Sequence, residues 1–309
     1  GRLQTDLESV ADMLVALGIT QVTGSVVGDD SRHDTARLLP GWPERWLAGG
    51  TVAPLSALLV NDGWQVDPTT GEGPGGATPN PPAHAAAALT QLLTERGVQV
   101  VGAPSAGTAP ASMEEVMAVA SPTIGQLAQQ LLTFSDNTTG ELLLREIGLA
   151  VSGEGSSAAG AAAVAEWAAT KGLPVEGTAV ADGSGLSSAN NVTCELLAGL
   201  LRLDGPDGPL AGGLAIPGQP GTLSDRFPGV EWSARLRAKT GTLNEVTSLS
   251  GWLLTRPGEY LDFSIVTNTA DRRVTADDIA FQNQLLTVLL DQPVERPLEQ
   301  AGPVAPPDA

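Results

Sequence analysis

Cysteine occurs once in these 309 residues, tyrosine once, histidine twice and phenylalanine four times. A single thiol, Cys194, cannot close an internal disulfide, and its setting in Val192-Thr193-Cys194-Glu195-Leu196-Leu197 reads as a packed helix interior. His33 and His84 have no second His or Cys at metal-ligand spacing. No zinc site is therefore expected, nor any other metal or cofactor, and His84, one turn into an alanine-rich helix, reads as structural. Positive charge is also scarce: 16 basic residues against 35 acidic ones give a net charge of −19. So acidic a surface repels nucleic acid and anionic lipid, which excludes both as partners. No apolar run reaches the ~20 residues of a membrane span, and no charged-then-apolar leader opens the chain. The expectation is a mature or trimmed product, or else a cytoplasmic protein.

What is present falls into three stretches. Leu3, Leu7, Val10, Leu14 and Leu17 recur at helical spacing before Gly18. A strand is expected over 19–27, ending at Asp29-Asp30, then an ordered loop over 33–50 that shelters Trp42 and Trp46. Residues 61–82 turn to Gly, Pro, Thr and Asp and read as a linker. An alanine-rich helix over 84–96, stopped by Gly97, leads to a strand at 98–101 and a Gly/Pro/Ser joint at 102–111. The pattern changes there, so residues 1–108 are expected to form one domain and 109–291 another. Within the second, 114–120 reads as a strand and 123–134 as a helix. The next helix should turn Leu142, Leu143 and Ile147 inward. Further helices are expected over 156–170, 193–203 and 276–290, a short strand at 178–181, and three strands at 233–242, 246–255 and 261–269. The tail from 292 to 309 holds five prolines and little apolar content and is expected to be disordered.

Lysine occurs only at 171 and 239. The second lies in Arg237-Ala238-Lys239-Thr240-Gly241-Thr242-Leu243, where Leu236, Ala238 and Thr240 share one face of an alternating run. An ammonium, a hydroxyl and a glycine on an open strand edge suit a ligand that ends in a carboxylate. For Lys-Thr-Gly alone, a surface lysine at a turn remains the plainer account. A second motif, Ser135-Asp136-Asn137, falls between two helices, where a short loop holds side chains outward on rigid supports. In isolation, Ser135 or Asp136 could simply cap the second helix.

Ser-Asp-Asn and Lys-Thr-Gly in this order are two thirds of the active-serine signature of penicillin-binding proteins and serine β-lactamases. With Asp182-Gly183-Ser184-Gly185-Leu186-Ser187 and Gly218-x-x-Gly221-Thr222-Leu223, the chain resembles the D-alanyl-D-alanine carboxypeptidase/endopeptidases of the type-4 penicillin-binding protein family. The likeness runs from about Leu3 to Leu290 and includes the segment 18–24 and Val60-Asn61. It implies an α+β fold: a β-lactamase/transpeptidase-like domain of helices and antiparallel sheet, with a smaller inserted α/β domain. Family members carry their nucleophile in a Ser-x-x-Lys motif ahead of the region that corresponds to residue 1. No Ser-x-x-Lys occurs here, so a segment with the nucleophile and two sheet strands is expected to be supplied from elsewhere in the same protein.

The resemblance also implies the site. Ser135 relays a proton to the leaving amine, Asn137 holds a substrate amide, and Lys239 supplies positive potential and keeps the relay poised. Thr240 bonds the substrate carboxylate, Gly241 permits close approach, and the backbone N–H of Thr242 is one donor of the oxyanion hole. Asn244 contacts substrate. Asp29 greets a cationic peptide side chain or, equally, caps a local element. Ser188 stands where family members often carry a basic residue, and Asp182 to Gly185 shape a turn beside the site. The implied activity is serine-type cleavage of D-Ala-D-Ala peptides of peptidoglycan through an acyl-enzyme, outside the cytoplasm, with β-lactams as covalent inhibitors. Two alternatives remain open: a non-catalytic extracytoplasmic protein that holds peptidoglycan peptides, and a β-lactamase, for which no extra general base is visible.

Overall fold

The computed structural model describes residue 3 and residues 6–65 and 75–292. Part of the Gly/Pro stretch and the proline-rich tail from 293 onward lie outside the described residues. The chain divides into two compact units, Gly1–Leu131 with Asp136–Val192, and Leu132–Ser135 with Thr193–Ala309.

The first unit opens with α1 (Leu7–Ala16), capped by the Asp6 carboxylate, which accepts from the N–H groups of Glu8 and Ser9. The run expected as one strand is two short ones, β1 (Gln21–Val22) and β2 (Val27–Gly28). They pair in parallel with β3 (Gln99–Val100) and β4 (Ser105–Ala106). Between the two pairs Gly102 donates to the Gly24 carbonyl at 2.7 Å, and both pairs keep one register, with Gln21 opposite Gln99 and Val27 opposite Ser105. Between these pairs lie α2 (Glu44–Ala48) and α3 (Pro81–Glu95), the latter capped by Asn80. The stretch expected as pure loop thus contains one helical turn, with Arg45 stacked 4.7 Å over the Trp46 ring. Gly28 has a steric reason: a Cβ there would lie 2.0 Å from the Pro82 carbonyl oxygen, so α3 packs directly on the strand backbone. Ala11, Leu93 and Val98 centre this core, with Leu14, Val22 and Leu89 around them.

Residues 114–120 form no strand. Val116 and Val119 are 61% and 45% exposed, and without a ladder partner an alternating run is only extended chain. Next come α4 (Ile124–Phe134), α5 (Asn137–Ser152) and α6 (Ser157–Thr170). Helices α5 and α6 cross through glycines: a Cβ on Gly160 would lie 1.9 Å from the Leu144 carbonyl oxygen. That contact selects the buried face of α5, which is Thr138, Gly140, Glu141, Leu144, Arg145 and Gly148. Of the residues expected inward, Leu142 and Leu143 are half-buried and Ile147 is exposed. Backbone approach, rather than the leucine stripe, orients this helix.

The second unit contains α7 (Cys194–Asp204), α8 (Val230–Arg235), β5 (Leu236–Thr242), β6 (Val246–Leu254), β7 (Tyr260–Asn268) and α9 (Ala276–Leu289). Cys194 is the first residue of α7, behind the Thr193 cap, and is exposed rather than packed in a helix interior. Ser233 to Arg235 belong to α8 and not to the strand that follows, because Trp232 anchors the turn on Phe227 at 4.9 Å between ring centroids. The sheet is antiparallel in the order β5-β6-β7. Leu236, Ala238, Leu249, Leu253, Leu286 and Leu290 form its core with α9. The Thr275/Asp278 capping box starts α9. Helices and a separate antiparallel sheet make the fold α+β. Among the described residues no helix is long and apolar enough to cross a membrane.

Candidate active site

Ser135 follows α4 and has φ = 58°, a left-handed conformation uncommon outside glycine. Its support comes from Thr133 and Gly213, which the sequence did not mark, and from the Gly218-x-x-Gly221-Thr222-Leu223 motif, which it did. The Thr133 hydroxyl donates to the Gly213 carbonyl at 2.8 Å, and the Thr133 carbonyl accepts the N–H of Thr222 at 3.1 Å. Gly221, at φ = 145°, lets that segment approach, since a Cβ there would lie 3.0 Å from the Thr133 carbonyl oxygen. The Gly-x-x-Gly-Thr-Leu motif therefore braces the end of α4. Asp136 caps α5 by accepting from the Thr139 N–H at 3.0 Å, which leaves the Ser135 hydroxyl free of that duty.

Lys239 lies on β5, and its ammonium donates to Ser135 Oγ at 2.7 Å and to the Thr240 carbonyl at 2.7 Å. No acidic side chain forms an ion pair with it among the described residues. Burial lowers its pKa from 10.5 to about 8. A lysine in that condition is mostly charged at neutral pH yet gives up a proton far more readily than one in water.

The strand aims its groups by alternation. Ala238 bonds Ala215 through both its N–H (3.0 Å) and its carbonyl (3.1 Å), on the side away from β6. By the period of two, Thr240 and Thr242 also present their backbone groups to that outer edge. Gly241 faces Ser248, and a Cβ on it would lie 2.7 Å from Ser248 Oγ. Thr242 Oγ1 lies 3.3 Å from Thr247 Oγ1. Asn244 sits in the turn to β6, and its carbonyl accepts the N–H of Val274 at 2.7 Å.

The structure thus brings Ser135 into direct contact with Lys239, whose ammonium also meets the Thr240 backbone carbonyl. Asn137 and Asp29 belong to the first unit. The Asn137 amide donates to the Thr51 carbonyl at 3.1 Å. Both Asp29 oxygens are engaged by backbone, the N–H of Ser31 at 2.8 Å and that of Ala109 at 2.6 Å, and the Ala109 bond leads in lowering its pKa. Among the described residues no cluster of three or more His, Cys, Asp or Glu could hold a metal ion.

Comparison with known proteins identifies the fold and the family. The fold is that of penicillin binding protein 4 (dacB) from Haemophilus influenzae, whose crystal structure superposes with a TM-score of 0.76 at 20% identity, covering 93% of this chain and 79% of that one. At the level of sequence, a model described as the D-Ala-D-Ala carboxypeptidase 3 (S13) family matches residues 3–79 and 72–288. The chain belongs to that family. It is 31% identical over 271 residues to Carboxypeptidase Rv3627c of Mycobacterium tuberculosis, covering 84% of this chain and 57% of the relative. It is 27% identical over 339 residues to a D-alanyl-D-alanine carboxypeptidase of Actinomadura sp., covering 85% and 63%. The chain spans less than two thirds of the length of these curated relatives.

Proposed function

We infer that these 309 residues supply the substrate-binding and proton-relay part of a serine-type D-Ala-D-Ala carboxypeptidase/endopeptidase that acts on peptidoglycan stem peptides outside the cytoplasm. Family membership supports the reaction class. The observation that carries the reading for this chain is the 2.7 Å contact between Lys239 Nζ and Ser135 Oγ. A desolvated ammonium with no acidic partner among the described residues, donating to a hydroxyl, is equipped to do two things. It draws a substrate carboxylate toward Thr240, and it keeps the Ser135 hydroxyl oriented as a proton carrier.

The reaction then runs in two stages. A serine attacks the carbonyl carbon of the D-Ala-D-Ala bond, and the leaving amine takes a proton passed through Ser135. Water next hydrolyses the ester. The N–H of Thr242, on the outer edge of β5, is assigned to the developing oxyanion, Asn137 and Asn244 to polar groups of the peptide, and Asp29 to a cationic side chain. The attacking serine lies in a Ser-x-x-Lys segment that these residues do not include. Losing one oxyanion donor costs about 3 kcal/mol of barrier, so the groups described here act only together with that segment. β-Lactams are expected to acylate the complete protein because they present the same carboxylate beside a strained amide.

The test is covalent labelling of the full-length protein by a fluorescent penicillin. Labelling of the wild type that is lost in Lys239→Ala is the expected result. A Lys239→Ala protein that labels as the wild type does would reject the assignment.

A further inference from the structure

The chemistry assigned above makes no use of Glu141, yet that side chain has no solvent exposure. Burying a carboxylate is costly unless its charge and lone pairs are met by specific partners. Here both oxygens are engaged. Oε1 accepts the Ser157 hydroxyl, and Oε2 accepts the Gly183 N–H at 2.7 Å. Arg145, equally unexposed, stays at 4.0 Å from Oε1 and spends its donors elsewhere: on Ser157 at 3.3 Å, Asp34 at 2.9 Å and the Ala36 carbonyl at 2.8 Å. Burial pushes the Glu141 carboxyl above its usual range, against the bonds from Ser157 and Gly183 that hold it down.

Gly183 belongs to the turn 182–187, which is wound around the Asp182 carboxylate. That group accepts the N–H of Gly185 (2.7 Å) and of Ser187 (2.8 Å), the Asn190 amide (2.8 Å) and the Trp42 indole (2.8 Å). These bonds shape the turn and join it to loops. The bond that ties it to α5 is the one to Glu141. The two backbones touch at this point: a Cβ on Gly183 would lie 2.3 Å from the Gly140 carbonyl oxygen, and one on Gly140 would lie 2.7 Å from that of Gly183. Asn137 and Glu141 are four residues apart on α5, hence on one face and one turn apart.

We propose that Glu141 is a positioning residue: braced from behind by Ser157, its carboxylate sets the spacing between the Asn137 face of α5 and the backbone of residues 183–185, making that turn a fixed wall for the stem peptide beside Asn137. The role rests on the functional reading given above. Because Glu141 touches no reacting atom, its loss should act on how peptide is held and leave the chemical step nearly intact. Gln is isosteric and can replace both bonds, its oxygen accepting from Gly183 and its NH2 donating to Ser157, whose hydroxyl then serves as acceptor.

The experiment uses the full-length protein as wild type, Glu141→Ala, Glu141→Gln and Ser157→Ala, with a D-Ala-D-Ala-terminated peptide as substrate and hydrogen exchange as the structural readout. Glu141→Ala is expected to speed exchange in 182–187 while β5 to β7 stay protected. It should raise KM about tenfold with kcat within about threefold, the scale of one lost charged hydrogen bond. Glu141→Gln should restore both. Should Glu141→Ala unfold, Ser157→Ala removes only the brace and is expected to raise KM about threefold. An unchanged KM in whichever of these two variants folds overturns the positioning role, as does a Glu141→Gln protein that fails to recover. A wild type that penicillin does not label overturns the functional reading, and the catalytic side of this proposal with it, whereas the exchange result separates that failure from loss of the clamp.

Discussion

The Lys239 ammonium lies 2.7 Å from the Ser135 hydroxyl although 104 residues separate the two in sequence. Ser135 reaches it from the end of α4 and Lys239 from the middle of β5, both within the second unit. Neither position is free to drift, since Thr133 braces one and the Ala215–Ala238 bridge the other.

The burial of Lys239 makes stability depend on pH in a definite direction. Its folded pKa is about 8, against 10.5 for the unfolded chain. Between those values the unfolded state binds more protons, so this lysine's contribution to stability rises with pH. Below pH 8 its cost is fully present; above 10.5 it has vanished. The unfolding free energy of Lys239→Met minus that of wild type should be flat up to about pH 7 and shrink from pH 8 to 10.5, read by urea denaturation. Penicillin labelling of the full-length protein should weaken over the same rise, as the positive charge is lost.

The left-handed backbone at Ser135 separates two ways of deleting one hydroxyl. Ser135→Gly and Ser135→Ala both remove the partner of Lys239, and both should abolish labelling. Glycine also relieves the strained φ of 58°. Ser135→Gly is therefore expected to be about 1 kcal/mol more stable than Ser135→Ala by denaturant melts. Equal stability would mean that the conformation relaxes at no cost.

At the α5–α6 crossing, Gly160→Ala places a methyl group 1.9 Å from the Leu144 carbonyl oxygen. A backbone atom cannot swing aside as a side chain can, so the helices must part. A loss of about 1–3 kcal/mol is expected, measured as a lower denaturation midpoint at unchanged m-value.

Arg272, the Thr275 N–H and the Thr275 hydroxyl hold the Asp278 carboxyl far below its usual range. A depressed carboxylate stabilises above the unfolded pKa of about 4 and loses that contribution as pH falls. Wild type should accordingly lose stability more steeply than Asp278→Asn between pH 5 and about 2, while near neutrality Asp278→Asn is the weaker protein. Parallel acid profiles for the two would remove Asp278 from the account.

Much of the sheet and most of the helices could be read from pattern alone, because β5 to β7 alternate cleanly and the caps at Asp6, Ser156 and Thr193 are local. The misread places share a cause. The outward turn of Ile147, the split of the 19–27 run and the unpaired 114–120 segment each depend on what lies beside the segment in space. The Ser135–Lys239 contact was legible as a pair of motifs, whereas the braces behind it were not. Thr133 looks like any threonine in an amphipathic helix, and Glu141 like an ordinary helix-surface acid, until Gly221 and Gly183 arrive from far along the chain.

The single bridge at Ala215 leaves a short ledge. It uses up the inner part of the outer edge of β5, so among the described residues of the second unit the N–H groups of Thr240 and Thr242 are what that edge still offers, over about 7 Å at ~3.4 Å per residue. An extended guest backbone laid along that length meets residue 215 head-on. In-register pairing along β5 is thereby limited to about two residues of any guest.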